Sequence, residues 1–219
     1  MVVRENFQTQ LDELRELLIE LGRLTGKALD EAIESLKNQD LELALRIIEN
    51  DVKVNQLEEE INDKAILLIA KQSPVASDLR RVIVAIKISS DVERMADFAV
   101  NIAKSVIRIG PSKLIKPLEE IPKLAGTANQ MLSEAIQAYT DEDVALAKSM
   151  ADKDDTVDET YGRLIQELLG MMKEYPDDTN QIIQLCFICR YIERTADHAT
   201  NIAESIVYLV KGKRYDLNE

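Results

Sequence analysis

The chain has 219 residues, a formal net charge of −13, seven Gly, five Pro and no Trp. An acidic surface of this strength repels phosphate backbones, which excludes nucleic-acid binding and leaves metal cations or basic protein patches as partners. With 46% apolar and 31% charged residues, it has the balance of a soluble globular protein with a buried core. The start, MVVRENFQTQ, lacks the apolar core of a signal segment, and the longest apolar run, AILLIA at Ala65–Ala70, is too short to span a bilayer. The expected location is the cytoplasm, with any membrane contact made through protein partners.

Scarce Gly and Pro favour a few long helices. The first is expected from about Glu5 to Lys37, because Leu11, Leu14, Leu18, Leu21, Ala28, Ala32 and Leu36 recur at helical spacing. Gly22 and Gly26 inside it permit a bend or close packing. Asp40 is the expected N-cap of a second helix reaching about Lys71, which Gln72–Pro74 stops. Ser77 or Asp78 is expected to cap a third, ending near Arg108 before Gly110 and Pro111. A fourth is expected from about Pro117 to Ala138. A fifth is expected from a cap at Asp141 to about Lys173, and a sixth from about Thr179 to Val210. No segment reads as a strand. Short connections force antiparallel neighbours. The expected fold is all-α: six long helices in two pseudo-symmetric antiparallel three-helix bundles, residues 1–111 and 112–219.

The halves are tied by a repeat. ERMADFAVNIA begins at Glu93 and ERTADHATNIA at Glu193, with eight of eleven positions identical. Such self-similarity marks two copies of one structural unit. In helix six, Leu185, Cys189, Ile192, Ala196, Ala199, Ala203, Ile206 and Val210 step by three and four, a seam facing neighbouring helices. Ala85, Ser89, Val92, Ala96, Ala99, Ala103 and Val106 repeat it in helix three. Glu193, Asp197 and Asn201 each lie one residue past the seam, at the margin of the core, as do Glu93, Asp97 and Asn101. The preceding helices carry a second stripe, Asp154 and Asp158 aligned with Asp51 and Asn55. Facing stripes of oxygen ligands suit hard cations (Mg, Mn, Ca or ferric iron) over zinc or copper. A solvated edge of amphipathic helices is the plainer reading of the same residues.

Two units each ending in E-R-x-A-D-x-A-x-N-I-A, approached by NDVKVNQLEEEI and SPVASDLRRVIVAIKISSDVERMAD, resemble the PhoU family. The resemblance implies a non-enzymatic, often dimeric, cytoplasmic regulator. It docks on the ATPase of the phosphate-specific ABC transporter and on the phosphate sensor histidine kinase. It thereby restrains the phosphate regulon and limits uptake. It also implies multinuclear iron or other metals bound by paired E(D)-x-x-x-D motifs. On this chain one site comprises Asp154, Asp158, Glu193 and Asp197 with Asn201 nearby. The other comprises Asp51, Asn55, Glu93 and Asp97 with Asn101 nearby. Asn55 departs from the pattern and costs that site one negative charge. The alternatives are an accessory protein of a low-affinity phosphate transporter and a di-metal bundle enzyme. The enzyme requires E-x-x-H on two helices, and this chain has one histidine.

Cys186 and Cys189 sit in the apolar run IIQLCFIC and read as buried core thiols. His198, whose counterpart is Phe98, reads as a packing residue. Arg94 and Arg194 read as helix-surface ion-pair partners. Arg80 and Arg81, unfavourably placed at a helix start, read as partner-facing. A homodimer is expected, with helix one or helix four as its candidate surface.

Overall fold

A computed structural model describes residues 2–111, 113–116 and 118–217, with side chains from Asn6 onward. It consists of α1 (Val2–Asn38), α2 (Leu41–Gln72), α3 (Ala76–Ile109), α4 (Glu120–Asp141), α5 (Val144–Lys148), α6 (Met150–Met171) and α7 (Thr179–Lys211), with a 3-10 turn at Pro176–Asp178. There is no strand among the described residues. The expected fifth helix is broken at Ser149. Its hydroxyl donates to the Leu146 carbonyl at 2.8 Å, and its N–H is shared between the Ala145 and Leu146 carbonyls at 3.2 Å each. This bonding tightens one turn and separates α5 from α6 without changing their place in the bundle.

Helix boundaries follow the same chemistry in both halves. Asp40 caps α2 by accepting from the Leu43 N–H at 2.9 Å. Asp143 caps α5 by accepting from Ala145 and Leu146 at 2.8 and 3.1 Å. Asp141, the expected cap, is instead the last residue of α4. Before each cap one non-glycine residue takes the left-handed conformation, Gln39 and Glu142 both at φ 52°. The cap N–H then reaches back to Ser35 or Ala138, at 2.9 Å in each case. Val75, with no side-chain cap bond, precedes α3. Ser77 and Asp78 thus lie in the first turn rather than capping it. Pro117, the expected start of the fourth helix, is outside the described residues.

α3 and α7 run antiparallel through the middle of the molecule. α1 and α2 pack on α3, α4 and α6 pack on α7, and α1 meets α4. Every expected seam residue of α3 is buried, as is every one in α7 except Val210 in the last turn, 37% exposed. The crossing has approximate twofold symmetry. Asp91 of α3 meets His198 of α7 with Nδ1 to Oδ1 at 2.9 Å, and Phe98 of α3 stacks on Tyr191 of α7 at 6.2 Å between centroids. Residues 91 and 191, and 98 and 198, are equivalent positions of the repeat, so the same cross-pair occurs twice, once polar and once aromatic. Phe98 and His198 themselves meet at 5.6 Å.

The halves are latched at their ends. Arg81 donates to Glu142 at 2.9 and 3.3 Å and to Asp78 at 3.2 Å. Arg80 donates to the Leu209 carbonyl at 3.4 Å. Both arginines serve contacts between the halves. No residue of α1 from Asn6 onward, and none of α4, is an exposed large hydrophobic; the described ones lie on α2, α3, α6, α7 and the loops. The contact between α1 and α4 covers part of the surface suggested for a homodimer.

That contact depends on missing side chains. A Cβ on Gly22 would lie 2.8 Å from Ile136 Cγ1, and one on Gly26 would lie 2.8 Å from Asn129 Oδ1. Asn129 donates from Nδ2 to the Gly26 carbonyl at 3.3 Å and to Asp30 at 2.8 Å. Gly162 in α6 has open space around it. Gly22→Ala is expected to destabilise the protein by about 1–2 kcal/mol, because overpacking outweighs the better helix propensity of Ala. Gly162→Ala is expected to stabilise it by roughly 0.5–1 kcal/mol. Urea unfolding midpoints should move in opposite directions for the two variants.

Candidate metal centre

The short connection between α6 and α7 sets the two helices antiparallel, so residues one step off each seam face each other. Asp158 of α6 and Glu193 and Asp197 of α7 each offer an oxygen, and these oxygens all lie within 4.8 Å of one another. No other described set of three acidic, His or Cys side chains comes this close. Glu193 sits deeper than the core margin expected for it, at 7% exposure. Its Oε1 accepts from Arg190, while its Oε2 is buried without a hydrogen-bond partner. Asp197 accepts from Arg194 at 3.1 Å.

Electrostatics reflect this crowding. Burial and then the Asp197 charge push the Glu193 carboxyl from its ordinary 4.5 up to about 7, against the pull of Arg190. Asp158 is raised for the same reasons, burial first and Asp197 second. Three close carboxylates, one with an orphaned buried oxygen, form a donor set that a hard cation fits: it would add positive charge to that of Arg190 and Arg194 and coordinate the orphaned oxygen.

The other expected members of this site are placed differently. Asp154 is buried, 3% exposed, a turn before Asp158 and outside the cluster. Asn201 is exposed, a turn beyond Asp197.

The first half builds a looser version. Glu93 is raised by burial and then by Asp97, with Glu58 and Asp51 adding to it. Asp51 is raised by burial, and Asn55 opposes this by donating from Nδ2 at 3.1 Å. Asp97 pairs with Arg94 at 3.3 Å. Asn101 is half-buried. The halves are thus not strict copies. The counterpart of Asp158, a cluster member, is Asn55, whereas the counterpart of Asp51 is the buried Asp154. Glu58 was not singled out in the sequence, although it lies two turns past Asp51 on the same helical face. Its charge offsets the one that Asn55 removes. Arg190 was missed too, and its counterpart is Ser90.

Cys189 is buried and its thiol is pushed up to about 12 by burial, which fits a core thiol. Cys186 is only half-buried, a correction to the expectation that both are core. His198 packs on Phe98 and pairs with Asp91, in keeping with its packing reading. No helix is long and apolar enough to cross a membrane among the described residues.

Comparison with known proteins adds three findings. The PhoU domain family matches residues 18–106 and 121–206, once in each half. The phosphate-specific transport system accessory protein PhoU homolog of Clostridium acetobutylicum is 36% identical over 219 residues, covering all of both chains. That of Rhizobium meliloti is 37% identical, covering 94% of this chain and 87% of its own. The crystal structure of PhoU from Pseudomonas aeruginosa superimposes with a TM-score of 0.90 at 33% identity, covering 94% of this chain and 100% of that one. The phosphate transport system regulatory protein PhoU from Streptococcus pneumoniae superimposes with a TM-score of 0.88 at 32% identity, covering 96% and 99%.

The raised Glu193 carboxyl links stability to pH. Below about pH 4.5 both the folded and the unfolded chain hold its proton. Between 4.5 and about 7 only the folded chain does, so its contribution to stability falls as pH rises. Above pH 7 that contribution, on the order of 3 kcal/mol, is gone. Metal-free Glu193→Gln should therefore resist urea better than the parent at pH 8 and match it near pH 4.5. Equal midpoints for the two proteins at pH 8 would contradict the assignment.

Proposed function

The chain belongs to the PhoU family, and from that membership we propose that it is a non-enzymatic cytoplasmic regulator of phosphate uptake. It acts by docking on the ATPase of the phosphate-specific ABC transporter and on the phosphate sensor kinase. Phosphate status shifts which docked state is populated, and this requires different affinities for the two states. The relatives' names tie them to the phosphate-specific transport system, which favours this reading over service to a low-affinity transporter. The observation that carries it is the full-length match in which each repeat folds into a carboxylate-lined helix pair.

Asp158, Glu193 and Asp197 would hold a divalent or ferric cation in the second half; Asp51, Glu93 and Asp97, with Glu58 nearby, would do so in the first. Bound metal supplies a cross-link between adjacent helices and cancels their mutual repulsion, stiffening the docking surface. The residues themselves orient oxygen ligands from neighbouring rods. They include no base poised on a nucleophile, and the single histidine is committed to the contact between halves. This inventory favours an adaptor over a di-metal enzyme. A homodimer is part of the proposal, its surface to be sought outside the contact between α1 and α4.

Two measurements test the reading separately. Metal analysis of the purified parent beside an Asp97→Ala, Asp197→Ala double variant should show bound metal in the first and background in the second. Unchanged content would remove the metal sites from the proposal. In a pull-down, the transporter ATPase and the kinase cytoplasmic domain should each retain the protein. Retention of neither would remove the adaptor role.

A further inference from the structure

The second carboxylate cluster already contains a cation. Arg190 lies one turn before Glu193 on α7 and donates to its Oε1. Its guanidinium also sits 5.9 Å from the centre of the Tyr161 ring on α6. The side chain is 44% exposed, so one side of it has room to move. The first half has neither part of this arrangement: Ser90 stands at the position of Arg190, and Glu58 at the position of Tyr161. A cation and its aromatic platform in one copy are replaced together by a hydroxyl and a carboxylate in the other. The two copies otherwise share seam, caps and motif, so the fold itself does not demand the pair.

The physical role follows from competition for oxygen. Three carboxylates within 4.8 Å of each other repel, and a guanidinium on one of them relieves part of that repulsion. A metal ion taking both Glu193 oxygens needs Oε1, which Arg190 occupies, and it is repelled by the nearby positive charge. We propose that Arg190 is the resident counter-cation of the second cluster. An incoming metal displaces it, and Tyr161 receives it through a cation–π contact. The second site is thus an exchange site, one cation for another; in the first, Ser90 replaces Arg190, and the nearby cations are Arg94 on Asp97 and Lys104 acting on Asp51. This inference rests on metal binding at Asp158, Glu193 and Asp197, as given under the proposed function. The coupling is reciprocal: whatever affinity Arg190 costs the metal, the metal costs the Arg190–Glu193 pair.

The test is equilibrium titration with Mn2+ in the full chain carrying Asp97→Ala, which leaves the second site to be read. Absence of binding that Asp197→Ala would abolish overturns the metal reading itself, whatever Arg190 does. With binding present, Arg190→Ala should tighten Mn2+ by roughly tenfold, in the lower part of the range for coupled sites. Arg190→Lys, which keeps a displaceable cation, should stay within about threefold of the parent, controls for folding and still reports if the alanine variant is unstable. In the wild-type first half, Ser90→Arg should weaken metal binding. A second readout does not depend on affinity. The chain has no Trp, so near-ultraviolet tyrosine absorbance is unmasked. Adding Mg2+ should perturb it as Arg190 leaves Glu193 and closes on the Tyr161 ring from its present 5.9 Å, and the change should vanish in Arg190→Ala and in Tyr161→Leu. Weaker or unchanged Mn2+ affinity in Arg190→Ala would overturn the proposal, since it would make the arginine a support that holds Glu193 in place.

Discussion

Close approach of α3 and α7 is the constraint on which the rest of the molecule depends. Ala96, Ala99 and Ala103 in one helix and Ala196, Ala199 and Ala203 in the other are all buried. Small side chains at these steps let two antiparallel rods share a central seam, and every other long helix then packs on one or other of them. The approach also decides where polar residues end up. Positions one step off the seam are carried to its flanks, where α2 and α6 meet them from either side. Both acidic groups are by-products of one packing register, placed on either side of the pseudo-twofold axis.

The site works against the stability of the scaffold that carries it. Bringing Asp158, Glu193 and Asp197 together costs desolvation and repulsion, visible in a glutamate whose proton is held up to about pH 7. Nothing in helix packing requires this, since the same helices have Ala and Val a step away. Surface pairs such as Arg94–Asp97 give little back, because exposed ion pairs are worth well under a kilocalorie in most contexts. Destabilisation concentrated in one place, with an orphaned oxygen at its centre, is the expected mark of a ligand site in a well-packed bundle.

Much of this was legible in the sequence because it is periodic. Helix number, antiparallel order, the seam and the duplicated acidic stripe all follow from spacing. The misses have local causes. Asp143 rather than Asp141 caps the fifth rod, because the preceding helix runs on through Asp141 and the chain turns at Glu142 in the left-handed conformation. The break at Ser149 comes from a hydroxyl bonding to its own backbone, which apolar periodicity does not register. Glu193 is buried more deeply than its angular position implies, whereas Glu93 beside the equivalent seam is only half-buried, a difference that periodicity does not register. Arg80 takes its role from the Leu209 carbonyl, Arg81 from Glu142, Glu58 from Glu93, and Arg190 from Tyr161 of α6 as well as Glu193 of its own helix, and a single-sequence pattern does not carry the partners on other elements.

The cross-pairs at 91 with 198 and 98 with 191 have an evolutionary consequence. A chain with one repeat would expose the part of its third helix that α7 covers, and a second copy of itself would present a matching face. The central contact is therefore what the interface of an ancestral homodimer would be, made intramolecular by fusion. Fusion lifts the requirement that both sides be identical. One cross-pair could then become Asp with His while the other became Phe with Tyr, and one acidic pocket could gain an arginine that the other never acquired.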